Sequence, residues 1–68
     1  MSCIEFGSRI KNLRLAKGIT QTDLADILYV TPQAISKWER GLSYPDISSL
    51  PQIAKYFEVS IDTLFNYR

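Results

Sequence analysis

The chain has 68 residues, 46% of them apolar and 22% charged, with a formal net charge of +1. That suits one small globular domain over residues 1–68, burying roughly 60% of its unfolded surface. One cysteine and no histidine exclude a disulfide framework, a cysteine-built zinc site and histidine chemistry, and the near-neutral balance excludes a strongly basic coat for nucleic acid.

Apolar spacing is helical along almost the whole chain, so an all-α fold of five short helices is expected. A first helix is predicted over about 6–17, with Phe6, Ile10 and Leu13 on one face and Gly18 as its stop. Leu15 falls off that face and either packs under a neighbouring helix or is exposed. A second helix opens at Thr20, whose spacing to Asp23 resembles a capping box, and ends near Leu28 or Tyr29. Thr31 and Pro32 open a third, as a good N-cap followed by a residue that needs no N–H at the first helical position. Ile35 and Trp38 face inward from it, and Gly41 follows its end.

Residues 41–45 read as a loop. Pro51 fits only near the start of a fourth helix, with Ser48 or Ser49 as N-cap, any earlier turn irregular, and the end at Phe57. Ser60 caps a fifth helix from 61 to about 66. No internal repeat and no low-complexity segment is read. The longest apolar run is the four residues 27–30, so no membrane span is expected. Residues 1–5 lack the layout of a secretory signal, so a cytoplasmic location is expected.

Residues 21–40 carry the chemistry. Two short helices meet at a tight turn, and the outer stripe of the second is Gln33, Ser36, Lys37 and Arg40, at i, i+3, i+4, i+7. The stripe holds donors and acceptors and no acid. A helix of this width fits the DNA major groove, where glutamine pairs with adenine and lysine with guanine. By itself the stripe also suits an ordinary solvated face.

The segments TQTDLA (20–25) and VTPQAISKWERG (30–41) closely resemble the Xre/Cro-repressor helix-turn-helix family. The similarity continues upstream through 10–18 and downstream through 53–54 and VSIDTLF (59–65), so it covers roughly residues 6–66. The resemblance implies a lambda-repressor-like, five-helix DNA-binding domain with its helix-turn-helix at about 20–41. It implies double-stranded DNA as partner, usually bound by a dimer on a palindromic operator, with the third helix in the major groove. It assigns base reading to Gln33, Ser36 and Lys37. Pro32 stands where relatives often place a polar reader and offers only apolar contact. Phosphate contacts are implied for Gln21, and Thr31, Arg40, Ser43 and Tyr44 are further candidates. It also implies an ion pair between Arg14 and Glu39. Relatives usually place glycine where Tyr29 stands, so either Tyr29 is strained or the turn has shifted.

Three functions compete. The first is a transcriptional regulator, most simply a repressor, and the second is a protein-interaction or antitoxin-type module on the same fold. The third, an enzyme, finds no nucleophile–base pair and no phosphate-cradling glycine loop. No cofactor, metal or small-molecule substrate is expected. Dimer contacts are expected near Phe65 and Tyr67, with Phe65 the better candidate for core filling.

Overall fold

The computed structural model describes residues 3–65. Five α-helices follow in order: α1 (Cys3–Ala16), α2 (Gln21–Leu28), α3 (Pro32–Glu39), α4 (Leu50–Phe57) and α5 (Ile61–Leu64), with one 3-10 turn, Ile47–Ser49, before α4. No strand occurs among the described residues.

Helix α1 starts three residues before the expected Phe6. Glu5 lies in its first turn, where a carboxylate is favoured by the positive end of the helix dipole. Thr20 then opens α2 with a reciprocal box. Its Oγ1 accepts from the Asp23 N–H at 3.0 Å, and its own N–H donates to Asp23 Oδ2 at 3.0 Å. Helix α2 ends on Tyr29 in the left-handed conformation (φ 59°, ψ 41°). The turn has therefore not shifted, and the tyrosine carries the strain of a left-handed side chain, about 1–2 kcal/mol. The residue is 92% exposed, so burial does little to offset the cost. The Val30 N–H closes the turn on Ala25 O at 3.0 Å. Thr31 caps α3, its Oγ1 accepting from the Ala34 N–H at 3.1 Å.

Two expectations change downstream. Ser49 does stand at the N-cap of α4, but its backbone is right-handed (φ −84°, ψ −19°) and its side chain makes no capping bond. A serine caps from an extended backbone, and here the 3-10 turn runs straight into the helix instead. Helix α5 ends at Leu64, with Phe65 as C-cap; the expected end near 66 lies outside the described residues.

The reading of no internal repeat is corrected. Helices α2 and α4 have eight residues each, and their C-caps Tyr29 and Glu58 stand 29 positions apart, both left-handed. At that same offset Leu24, Ala25, Leu28, Val30, Thr31 and Ile35 match Ile53, Ala54, Phe57, Val59, Ser60 and Leu64. Val59 closes its turn on Ala54 O at 3.0 Å, as Val30 does on Ala25. Ser60 Oγ accepts from the Thr63 N–H at 3.0 Å, as Thr31 does from Ala34. Only two of the matched pairs are identical residues, which hid the correspondence from a reading of the sequence.

The buried core takes Phe6 and Ile10 from α1, Leu24, Ala25 and Leu28 from α2, and Ile35 and Trp38 from α3. Ile53, Ala54, Phe57 and Leu64 close it from α4 and α5. Leu15 is exposed. Phe65 stacks on Phe6 with ring centroids 5.1 Å apart, and so belongs to the core edge. Tyr67 lies outside the described residues.

Helix α1 crosses α3 closely at Gly7. A Cβ built there would collide with the Trp38 carbonyl oxygen and lie 2.9 Å from that of Glu39. The glycine is thus required by the approach of two backbones.

Candidate nucleic-acid interface

The outer face of α3 is set by its inner one. Ile35 and Trp38 are buried, so the residues on the opposite side of the helical wheel turn outward. Pro32, Gln33, Lys37 and Arg40 are exposed and Ser36 is half-buried. The resulting surface is polar and basic.

One link joins two members of this stripe. Arg40 Nε donates to Ser36 Oγ at 3.1 Å and to the Ser36 carbonyl at 3.3 Å. The i, i+4 spacing that puts both on one face also lets the longer side chain fold back over the shorter.

Below the stripe, α3 is fixed to the rest of the domain by a buried polar network. Arg14 Nε donates to Glu39 Oε2 at 2.7 Å and Arg14 Nη2 to Oε1 at 3.2 Å, a two-pronged ion pair. The side chains are 10% and 3% exposed. Arg14 Nη1 also donates to the Ile19 carbonyl at 2.8 Å, and Gln21 Nε2 donates to Glu39 Oε1 at 2.9 Å. One carboxylate therefore holds the end of α1, the start of α2 and the end of α3. Water is excluded from both charges, so the pair sets geometry far more firmly than an exposed one would.

The phosphate candidates divide. Gln21 sits at the N-terminus of α2 with one amide N–H engaged by Glu39. Thr31 is exposed at the N-terminus of α3, its oxygen capping Ala34. Ser43 is half-buried in the loop after α3. Tyr44 is 43% exposed, and its ring packs on Phe6 at 5.4 Å and on Phe65 at 6.1 Å. The ring is thus a roof over the aromatic edge of the core, which a reading of the loop as plain did not anticipate.

Sequence reasoning missed three further features. Gln21 braces Glu39 as well as standing at a helix start, the Ile19 carbonyl completes the shell of Arg14, and Arg40 reaches Ser36. The first arises from a contact distant in sequence, and the second from a side chain folding across the turn that follows α1. The third was visible as spacing but was read as two independent side chains.

The helix-turn-helix family model matches residues 10–64. The chain belongs to the Xre/lambda-repressor-like helix-turn-helix family. BcrR of Enterococcus faecalis, an HTH-type transcriptional activator, is 48% identical over 63 residues, which are 93% of this chain and 31% of BcrR. The crystal structure of the P22 c2 repressor with a synthetic operator superposes with a TM-score of 0.82 at 34% identity, over 87% of this chain and 89% of that one. The restriction-modification controller C.AhdI from Aeromonas hydrophila gives a TM-score of 0.82 at 27% identity, over 93% and 91% of the two chains. The chain spans 31% to 55% of the length of the first curated relatives it matches. The five helices described above are the fold of these helix-turn-helix regulators. No helix among the described residues is long and apolar enough to cross a membrane.

Proposed function

We propose that this domain binds double-stranded DNA in a sequence-specific way, with α3 in the major groove. The observation that carries the reading is the acid-free stripe of α3, held rigidly from beneath by the buried Arg14–Glu39–Gln21 network. A helix about 10–12 Å across fits a groove about 12 Å wide. Gln33, Ser36 and Lys37 face base edges, with Pro32 in apolar contact, for instance against a thymine methyl. Gln21, Thr31, Arg40, Ser43 and Tyr44 flank the groove as phosphate contacts, which fix register without reading sequence. The operator seen with the P22 c2 repressor, a relative of the same fold, supports this placement.

An eight-residue α3 is about 12 Å long and spans only a few base pairs. Two copies on a palindrome would supply the missing specificity, with half-sites about 34 Å apart. Repression is the simplest output, because occupying a promoter needs no contact beyond the DNA. A cytoplasmic location goes with this reading.

Selection of the purified chain against a randomised duplex library at near-physiological salt tests it. An enriched palindrome is expected. Weak, salt-sensitive binding with no enriched sequence would overturn the reading and favour a protein partner for the α3 face. Within an enriched site, Gln33→Ala should relax preference at one base pair per half-site by about 1–3 kcal/mol, leaving the salt dependence unchanged.

A further inference from the structure

We infer that Arg40 is a positioning residue for sequence readout, because it fixes what the Ser36 hydroxyl can recognise. The inference rests on α3 lying in the major groove. It goes beyond that reading by giving Ser36 a chemical preference and Arg40 a second task.

A free serine hydroxyl is ambiguous, since it gives one proton and accepts on two lone pairs. It can serve an acceptor or a donor on a base and so discriminates poorly. Ser36 is not in that state. Arg40 Nε donates to its oxygen at 3.1 Å. The same Nε lies 3.3 Å from the Ser36 carbonyl, which also accepts the backbone N–H of Arg40 at 3.0 Å. The guanidinium is thereby held through Nε on two oxygens of one residue, within one helical turn, and it remains cationic under all ordinary conditions.

Two consequences follow for Ser36 Oγ. One lone pair is occupied, and the adjacent cation polarises the O–H, which strengthens it as a donor. A base N–H approaching the same oxygen would meet the positive field of the guanidinium. Ser36 therefore acts as a hydrogen-bond donor. In the major groove, guanine and thymine offer acceptors alone at their polar edge, whereas cytosine offers only an N–H donor. The base facing Ser36 should be one that offers an acceptor, most freely guanine or thymine, with cytosine rejected. Arg40 has five N–H groups, and engaging Nε leaves the two terminal amino groups to meet a phosphate. One side chain thus serves the backbone of the DNA and the orientation of a base reader.

Arg40→Lys separates these tasks. It keeps the positive charge for a phosphate but replaces a planar fork with a mobile point charge that has no Nε–H at the serine. Wild type, Ser36→Ala, Arg40→Lys and the double variant are each titrated against the selected operator and its single-base variants, at several salt concentrations. Thermal melts of each are recorded to establish that it folds; both side chains lie on the outer stripe of α3, clear of the core.

One position per half-site should show about fivefold preference for guanine or thymine over cytosine in the wild type, the size of one net hydrogen bond. Ser36→Ala should abolish it. Arg40→Lys should reduce it to twofold or less while leaving the salt slope intact, and should add nothing in the Ser36→Ala background. An Arg40→Lys protein with full preference at that position would overturn the inference, leaving Arg40 a phosphate contact alone. A cytosine preference abolished by Ser36→Ala would overturn it too, as would a preference untouched by that variant. If the wild type selects no sequence at all, the DNA reading fails first, and that failure is recognisable before any variant is made.

Discussion

The domain contains the same turn twice, and the two copies do different work. In each, an eight-residue helix ends on a left-handed residue that is not glycine, a valine N–H returns to an alanine carbonyl, and a threonine or serine caps the next helix. What differs is the second helix and its anchorage. Helix α3 has eight residues, a polar outer stripe, a glycine-mediated crossing with α1 and a buried ion pair beneath it. Helix α5 has four residues, carries Asp62 where α3 carries Gln33, and is anchored through apolar contact, with Leu64 buried. The turn is thus a generic corner built from local rules. Presentation of a readable surface comes from the close backbone crossing and the buried ion pair that hold α3.

If that contrast is right, damage to the anchorage of α3 should have the largest effect. Arg14→Ala leaves Glu39 charged and buried with only Gln21 to serve it, and should cost about 3–5 kcal/mol. A domain of this size has roughly 3–10 kcal/mol in total, so the variant should melt far below the wild type or fail to fold. Replacing both partners, Arg14→Met with Glu39→Leu, removes the orphaned charge and should recover much of the loss in a urea titration. Equal damage from the single and double variants would mean that the carboxylate is not what ties the helices together.

Next in size is Gly7→Ala, where two physical arguments give opposite signs. Helix propensity alone favours alanine by about 1 kcal/mol. The crossing opposes it, because the new Cβ would strike the Trp38 carbonyl, an atom of backbone that cannot swing aside. Such overpacking costs about 1–3 kcal/mol, so a net loss of stability is expected. Helix α5 has no such crossing among its described contacts. A more stable Gly7→Ala protein would show that α3 is not held at the distance described here.

These contrasts also explain what could be read from the sequence. The helices, the box at Thr20, the Thr31–Pro32 start of α3 and the inward Ile35 and Trp38 follow from local spacing and side-chain chemistry, and were legible. The close crossing at Gly7 was not, since a glycine inside a helical pattern says nothing about which backbone approaches it. The place of Ser49 at the N-cap of α4 was legible from Pro51, but the missing capping bond was not, because backbone geometry decides whether the hydroxyl can reach. The stripe on α3 was legible as a set of residue types. The bond from Arg40 to Ser36 within it, and the bond from Gln21 to Glu39 beneath it, required the folded positions of side chains.

The smallest effect sharpens the comparison most, because it treats the two turns as a matched pair. Tyr29 and Glu58 have nearly the same conformation, φ 59° and 58°, and both are exposed. Replacement by glycine should relieve about 1–2 kcal/mol of left-handed strain at each. Against that stands the added freedom of the unfolded chain, about 0.4–1 kcal/mol. A net gain of about 0.5–1 kcal/mol is expected at either site, and because Tyr29 and Glu58 line one groove the double variant measures whether they are coupled. If the corners are equivalent, Tyr29→Gly and Glu58→Gly raise the urea midpoint alike. A gain at Glu58 with a loss at Tyr29 would mean that the tyrosine ring makes a stabilising contact in the first turn that its 92% exposure does not suggest. The first corner would then be a specialised one, and the division between a generic turn and a specialised helix would have to be drawn one residue earlier.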